Sequence, residues 1–250
     1  MMSAPRETQV LGAVVGLVDS LLDDFDIVEL LTDLTEQCAQ LLDVRAAGLL
    51  LAGPRQDLHL MAATSRSSHD LEILQLQADE GPCLDCFTTG QAISAPDLDV
   101  EQARWPRFVA AATEAGFVSV HAVPMRAGGT MLGALGLFGT RQGSLNDADL
   151  LVAHSLVHVA CVAILQQHSP SPITIGPSLR AALNDRVVVD QATGFVSEVL
   201  GASMEDAFDL LRRYAQSHPE HLTDVARQVV GQPARRAGIL AALAELVPRA

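Results

Sequence analysis

The stretch Ser169-Pro-Ser-Pro-Ile-Thr-Ile-Gly-Pro177 constrains the architecture of this chain more than any other feature. Each proline fixes φ and removes an amide donor, so neither a helix interior nor a central strand can run through such a segment. The chain is therefore expected to fold as two bodies, residues 1–168 and 178–236. Residues 169–177 form the linker, and 237–250 a C-terminal tail able to add a last helix. With 250 residues, both bodies are long enough to bury a core.

Ahead of the break, two period types alternate. Ile27, Leu30, Leu31, Leu34, Cys38, Leu41 and Leu42 form a helical stripe, following an apolar helix over 10–22. Runs suited to strands follow at 46–52 and 58–64, then a helix over 68–77, a turn at Glu80-Gly-Pro-Cys83, and a strand at 91–94. A helix over 107–115 ends at Gly116, and strands at 119–125 and 131–138 flank Gly128-Gly129 as a hairpin. Asn146, with Asp147 and Asp149 behind it, reads as the cap of a long helix reaching about Gln167. This order predicts an α+β body, an antiparallel sheet flanked by helices.

Beyond the break every segment reads helical. Ser178 is placed to cap a helix from 179 to 200 that Gly201 closes, Ser203 opens a second, which Pro219 stops, and Thr223 a short third ending at Gly231. The expectation is a small all-α three-helix bundle.

The net charge of −14 is unevenly spread. Residues 178–250 hold eight Arg against nine acids, leaving a balance of −1, so the front carries −13. A near-neutral bundle with clustered Arg can still grip nucleic acid locally. The chain has no lysine, so every fixed side-chain cation is a planar guanidinium. The longest apolar stretch, 150–165, is interrupted by His154, Ser155 and His158, and MMSAPRETQV lacks the apolar core of a leader. Four cysteines do not make a disulfide scaffold here. These features point to the cytoplasm, with no membrane partner. No phosphate loop, dinucleotide motif or nucleophile–base set is visible, so neither a cofactor nor an enzymatic activity is expected.

Three segments of the rear half, Ala182–Gly194, Glu205–Ala215 and Leu222–Val230, resemble the ANTAR family across all three helices, through Gln191-Ala-Thr-Gly194, Ala207-Phe-Asp-Leu-Leu-Arg212 and Val225-Ala-Arg-Gln-Val229. The resemblance implies a module that binds RNA hairpins and opposes transcription termination, usually as a dimer beneath a sensor. The front resembles a GAF sensor domain of the actinobacterial fusion type, through Asp79-Glu-Gly-Pro-Cys-Leu-Asp-Cys86, Arg104-Trp-Pro-Arg-Phe108, Ala115-Gly-Phe-Val-Ser119 and Leu132-Gly-Ala-Leu-Gly-Leu-Phe138. The Asn-Lys…Phe…Asp-Glu pattern of cyclic-nucleotide-binding GAF domains is absent, so the signal, a small molecule or a protein, is unassigned.

On this reading Arg186, Arg212, Arg213 and Arg227 are candidates for phosphate or base contact, and Tyr214 for stacking on an unpaired base. Paired helix-surface arginines and an interhelical tyrosine are the alternatives. Thr193 stands where the family commonly has lysine, an RNA-binding position here without charge. Gly194 is expected where two helices approach closely, with Ala207, Phe208, Leu211, Val225 and Val229 as core. Cys83 and Cys86 have the spacing of a redox pair or half a metal site, or are buried thiols. They invite comparison with GAF-fold proteins that reduce methionine sulfoxide, an activity with no use for a fused RNA module. His154, His158 and Cys161 share a face that reads as a packing or dimer seam. The functional expectation is a regulator acting on nascent RNA as a homodimer. The alternative is a protein-interaction sensor whose ANTAR module has lost RNA binding.

Overall fold

The computed structural model describes residues 6–22, 25–53, 55–166, 175–218 and 220–246. They form two compact units, one of Met1–Asp24 and Leu30–Arg180, the other of Phe25–Glu29 and Ala181–Ala250.

The first unit is built on five antiparallel strands: β1 (Ala46–Ala52), β2 (Leu58–Ala63), β3 (Ile93–Ala95), β4 (Ser119–Ala127) and β5 (Thr130–Gly139), in the order β2-β1-β5-β4-β3. Gly128 and Gly129 both take positive φ, +56° and +83°, which suits the tight turn joining β4 to β5. Its helices are α1 (Arg6–Leu22), α2 (Ile27–Leu41, whose first three residues belong to the second unit), α3 (Arg66–Ala78), α4 (Pro82–Thr89), α5 (Pro106–Glu114) and α6 (Asp147–Gln166). The whole predicted stripe of α2, Ile27 to Leu42, is buried. The Asn146 side chain accepts from the Asp149 amide at 2.9 Å, the cap expected for α6. By length and composition α6 is long and apolar enough to cross a membrane; here Ala153, Leu156, Val157, Ala160 and Ile164 are buried, and the helix packs on β4.

One helix was not expected. Glu80-Gly-Pro-Cys83 is the start of α4 rather than a turn: Gly81, at φ +140°, aims the chain, and Pro82 occupies the first helical position, where its missing amide costs nothing. Helix α3 is capped reciprocally by Ser65 and Ser68. The Glu80 carboxylate accepts from the amides of Arg107 and Phe108, at 2.5 and 2.9 Å, and so caps α5. Asp85 of α4 accepts from the Trp105 indole at 3.1 Å and pairs with Arg104 at 2.7 Å, while the Arg104 guanidinium lies 4.4 Å from the Trp105 ring centroid. The 79–86 and 104–108 motifs thus lock to each other, with Trp105 and Phe108 fully within the core.

The second unit contains α7 (Ile175–Leu200, whose first six residues belong to the first unit), α8 (Met204–Ser217), α9 (Leu222–Gly231) and α10 (Pro233–Leu246). Residues 169–174 and Pro219 lie outside the described residues. Helix α7 takes in 175–177, which sequence reading gave to the linker, because a proline is tolerated in a first helical turn. Gly201, at φ +64°, ends it, and the Ser203 hydroxyl accepts from the Asp206 amide, as expected. Helix α10 is an ordered fourth helix packed on α8 and α9, burying Ile239 and Leu243. Ala207, Leu211, Val225 and Val229 are buried; Phe208 is half-buried. Gly194 faces open space, so no neighbouring helix requires a glycine there.

Candidate nucleic-acid interface and sensor core

The predicted RNA residues do not form one uniform surface. On α7, Arg186 pairs with Asp190 one turn on, at 2.9 Å, and its guanidinium lies 5.9 Å from the Phe208 ring centroid. On α9, Arg227 is half-exposed and forks between Asp224, at 2.9 Å, and Asp185, at 2.5 Å. Aspartates 185 and 190 therefore hold Arg186 and Arg227 along one edge of α7 and α9. On α8, Arg213 is exposed, whereas Arg212 is largely covered and has Glu29 3.9 Å from its Nε. Tyr214 stacks on His218 with ring centroids 4.1 Å apart and 18° between planes, leaving the tyrosine half-buried. Stacking of this type is what an unpaired base would have to extend or replace.

Thr193 departs from its expected role. It is buried at 4% exposure, and its hydroxyl donates to the Val189 carbonyl at 2.8 Å. A side chain turned inward and already bonded to its own helix does not present itself to RNA. Helical phase decides this: Val189, Ala192, Thr193 and Val196 fall on the inward face of α7.

Sequence reasoning missed a further basic group. Arg236, in the first turn of α10, donates to the Val229 and Val230 carbonyls at 2.5 and 2.7 Å, and lies 4.7 Å from the Phe195 ring centroid. It closes the C-terminal end of α9, where a cation is favoured. The Arg235-Arg236 doublet was the available signal, and Arg235 beside it is exposed.

In the first unit the chemistry collects under α3. Gly48 of β1 pairs with Gly136 of β5, and Ala122 of β4 follows in the same row. A Cβ built on Gly48 would stand 2.6 Å from a carboxylate oxygen of Glu72, and one on Gly136 would collide with that oxygen and lie 2.8 Å from the Cys83 sulfur. The paired glycines thus make a hollow in the sheet, and Glu72 fills it, fully buried. Its carboxyl accepts from the Gln75 amide nitrogen at 2.8 Å and from the Cys83 thiol at 3.5 Å; the Gln75 oxygen in turn accepts from the Cys83 amide at 2.8 Å. Removal from water without a cation nearby raises the Glu72 pKa to about 8.

The same burial governs the thiols. Cys83 is pushed well above its ordinary value by desolvation, then by the Glu72 charge; burial raises Cys86 to about 12. A redox or nucleophilic thiol needs access and electropositive surroundings, and neither cysteine has them. Of the expected seam on α6, Cys161 is buried, His154 half-buried and His158 exposed, with the two rings 6.5 Å apart. Elsewhere in the unit, an open cleft of about 520 Å³ mixes polar and apolar lining, with Arg45 as its one charged side chain beside Thr64, Ser65, Thr140 and Phe117.

The chain thus carries a five-stranded antiparallel sheet with helices packed against it, followed by a helical bundle. Residues 26–165 match the GAF domain family and residues 178–230 the ANTAR domain family. The chain belongs to the GAF family and carries an ANTAR domain behind its GAF domain. No curated protein matches the chain. Solved structures similar to it include the free methionine-R-sulfoxide reductase of Neisseria meningitidis in complex with its substrate, at 14% identity and TM-score 0.51, covering 73% of this chain and 96% of that one. The GAF domain of a Coxiella burnetii phosphoenolpyruvate-protein phosphotransferase is 16% identical, with TM-score 0.50, covering 61% and 91%. A third GAF domain structure is 12% identical, with TM-score 0.51, covering 64% and 90%. At these identities the likeness is one of fold.

Proposed function

We propose that this chain is a cytoplasmic, non-enzymatic regulator that binds hairpins in nascent RNA and opposes transcription termination in response to a signal taken up by its GAF domain. The observation that carries the reading is the ANTAR domain at 178–230, with Arg186, Arg213 and Arg227 on three of its helices and Arg235 beyond. The guanidinium groups of Arg213, Arg227 and Arg235, exposed or half-exposed, suit phosphate and unpaired bases, while that of Arg186 is mostly covered. The test is titration of the full chain with tandem RNA hairpins at several salt concentrations. Replacing Arg213 and Arg227 by alanine is expected to weaken binding about tenfold or more and to flatten the salt slope by roughly two. Unchanged affinity in the double variant would remove these arginines from the interface.

The functional unit in this reading is a homodimer. Helix α1 exposes Leu11, Val15, Val18 and Leu22, and α6, which packs beside it, exposes Leu151 and Val162 around His158. The α1 residues recur at i, i+4, i+7 and i+11, and Leu151, His158 and Val162 at i, i+7 and i+11. A second copy, with the same uncharged stripes, matches them. Monomeric behaviour at micromolar concentration in sedimentation would reject this.

A second reading has its own support: Arg186 and Arg227 are paired with aspartates of their own unit, and Thr193 points inward. In that case the module is an interaction surface without RNA, and the titration gives no hairpin binding at any salt.

A further inference from the structure

Asp26 lies 197 residues before Thr223, yet both belong to the second unit. The Asp26 side chain is buried, with 7% of the residue exposed. One carboxylate oxygen accepts from the amides of Val28 and Glu29, at 2.9 and 3.1 Å, and so caps α2. The other accepts from the amide of Thr223, at 2.6 Å, and from its hydroxyl. A single anion thereby closes the first turns of two helices, where both have free amides and a positive dipole end. Thr223 was expected to cap α9 itself. It sits instead inside the first turn, behind His221, whose side chain supplies no cap. Asp26 does that work. One turn along α2, Glu29 accepts from the Gln216 amide nitrogen at 2.8 Å and stands 3.9 Å from Nε of Arg212.

We propose that Phe25–Glu29 is an autoinhibitory clasp on the ANTAR bundle, with Asp26 and Glu29 occupying positions that RNA phosphates take when the segment withdraws. Both carboxylates engage groups that also bind phosphate: the amides of a helix start, a hydroxyl, and a guanidinium. Arg212 is drawn into this contact, whereas its neighbour Arg213 is exposed. RNA and the clasp are then competitors, and each weakens the other by the same factor. Helix α2 continues past Glu29 into the first unit, so the chain supplies a covalent route by which a change there reaches the clasp.

The inference rests on the RNA reading above, and the experiment separates the two. Hairpin RNA is titrated against the full chain as wild type, Glu29→Gln, Arg212→Ala and the double variant. Glu29→Gln keeps a side chain of the same shape beside Gln216 while removing its charge. Roughly fivefold tighter binding is expected for it, and no gain in the Arg212→Ala background. If wild type binds and Glu29→Gln binds equally, the clasp is not inhibitory and the proposal falls while the RNA reading stands. If none of the variants binds, the RNA reading fails and takes the proposal with it. Hydrogen exchange tests the contact without any affinity measurement. The Thr223 amide is expected to be protected in the free chain and to lose protection in Asp26→Ala. Fast exchange at Thr223 in the free wild-type chain would overturn the clasp whatever the titrations give.

Discussion

Glu72 allows a quantitative test of how the sheet of the GAF domain is built. Its carboxyl is fully buried in the hollow at Gly48 and Gly136, accepts from Gln75 and Cys83, and titrates near 8 because burial disfavours the charged form. In the unfolded chain it ionises near 4.5. The folded state therefore holds one more proton than the unfolded state between those two values, so stability falls as pH rises through this window and is highest below it. Full displacement from 4.5 to about 8 corresponds to a ceiling of about 5 kcal/mol, of which about 3 kcal/mol develops between pH 5.5 and 9. Glu72→Gln keeps an acceptor for Gln75 and removes the ionisation. Urea denaturation of both proteins, followed through the single tryptophan, Trp105, buried in the same unit, isolates the effect because all other titrations cancel in the difference. The Glu72→Gln variant is expected to gain about 3 kcal/mol on wild type over that pH range. Parallel stability profiles would refute the claim that the carboxyl is neutral and dry in the folded state.

Other expectations follow from side-chain placement. Gly194→Ala meets open space in α7 and is expected to stabilise the bundle by about 0.5–1 kcal/mol in thermal denaturation, since a glycine inside a helix is costly. Destabilisation would mean that another surface packs against that position. Thr193→Val removes a hydroxyl bonded to the Val189 carbonyl and is expected to cost less than about 1 kcal/mol, with hairpin affinity unchanged; a clear loss of RNA binding would place this side chain at the interface after all. Cys38 and Cys161 have pKa values raised to about 12 and about 11, and Cys83 and Cys86 are raised likewise, so a thiol reagent at pH 8 should label the native chain slowly and all four cysteines on unfolding. A thiol labelled in a rapid burst would show that at least one is open to solvent.

Much of the fold was legible because local chemistry and tertiary packing agree. The α2 stripe, β1, the Gly128-Gly129 hairpin and the caps at Asn146 and Ser203 each depend on residues within a few positions of one another. What was missed depends on distance or on ambiguity. Gly81-Pro82 signals both a turn and a helix start, and only the packing of α4 on the sheet selects the second. No local pattern singles out Glu72 within its helix; the available signal is the pair of glycines inside strands β1 and β5, which mark a close approach without naming what approaches. Asp26 could not be tied to Thr223 by any local pattern. Arg186, Arg212, Arg213 and Arg227 were identified by residue type, but motif spacing does not reveal that Arg212 turns toward Glu29 while Arg213 faces solvent.

The hollow occupied by Glu72 also sets the order in which its neighbours can change. Alanine at position 48 or 136 would place a methyl group against the carboxyl of Glu72, which has nowhere to retreat inside a closed layer. Replacement of Glu72 by a small residue empties the space and makes those same alanines cavity-filling. The three positions thus permit one mutational route and block its reverse: the acid goes first, and the glycines follow. Among descendants of a chain like this one, alanine at 48 or 136 should therefore be found where the acid at 72 has already been lost.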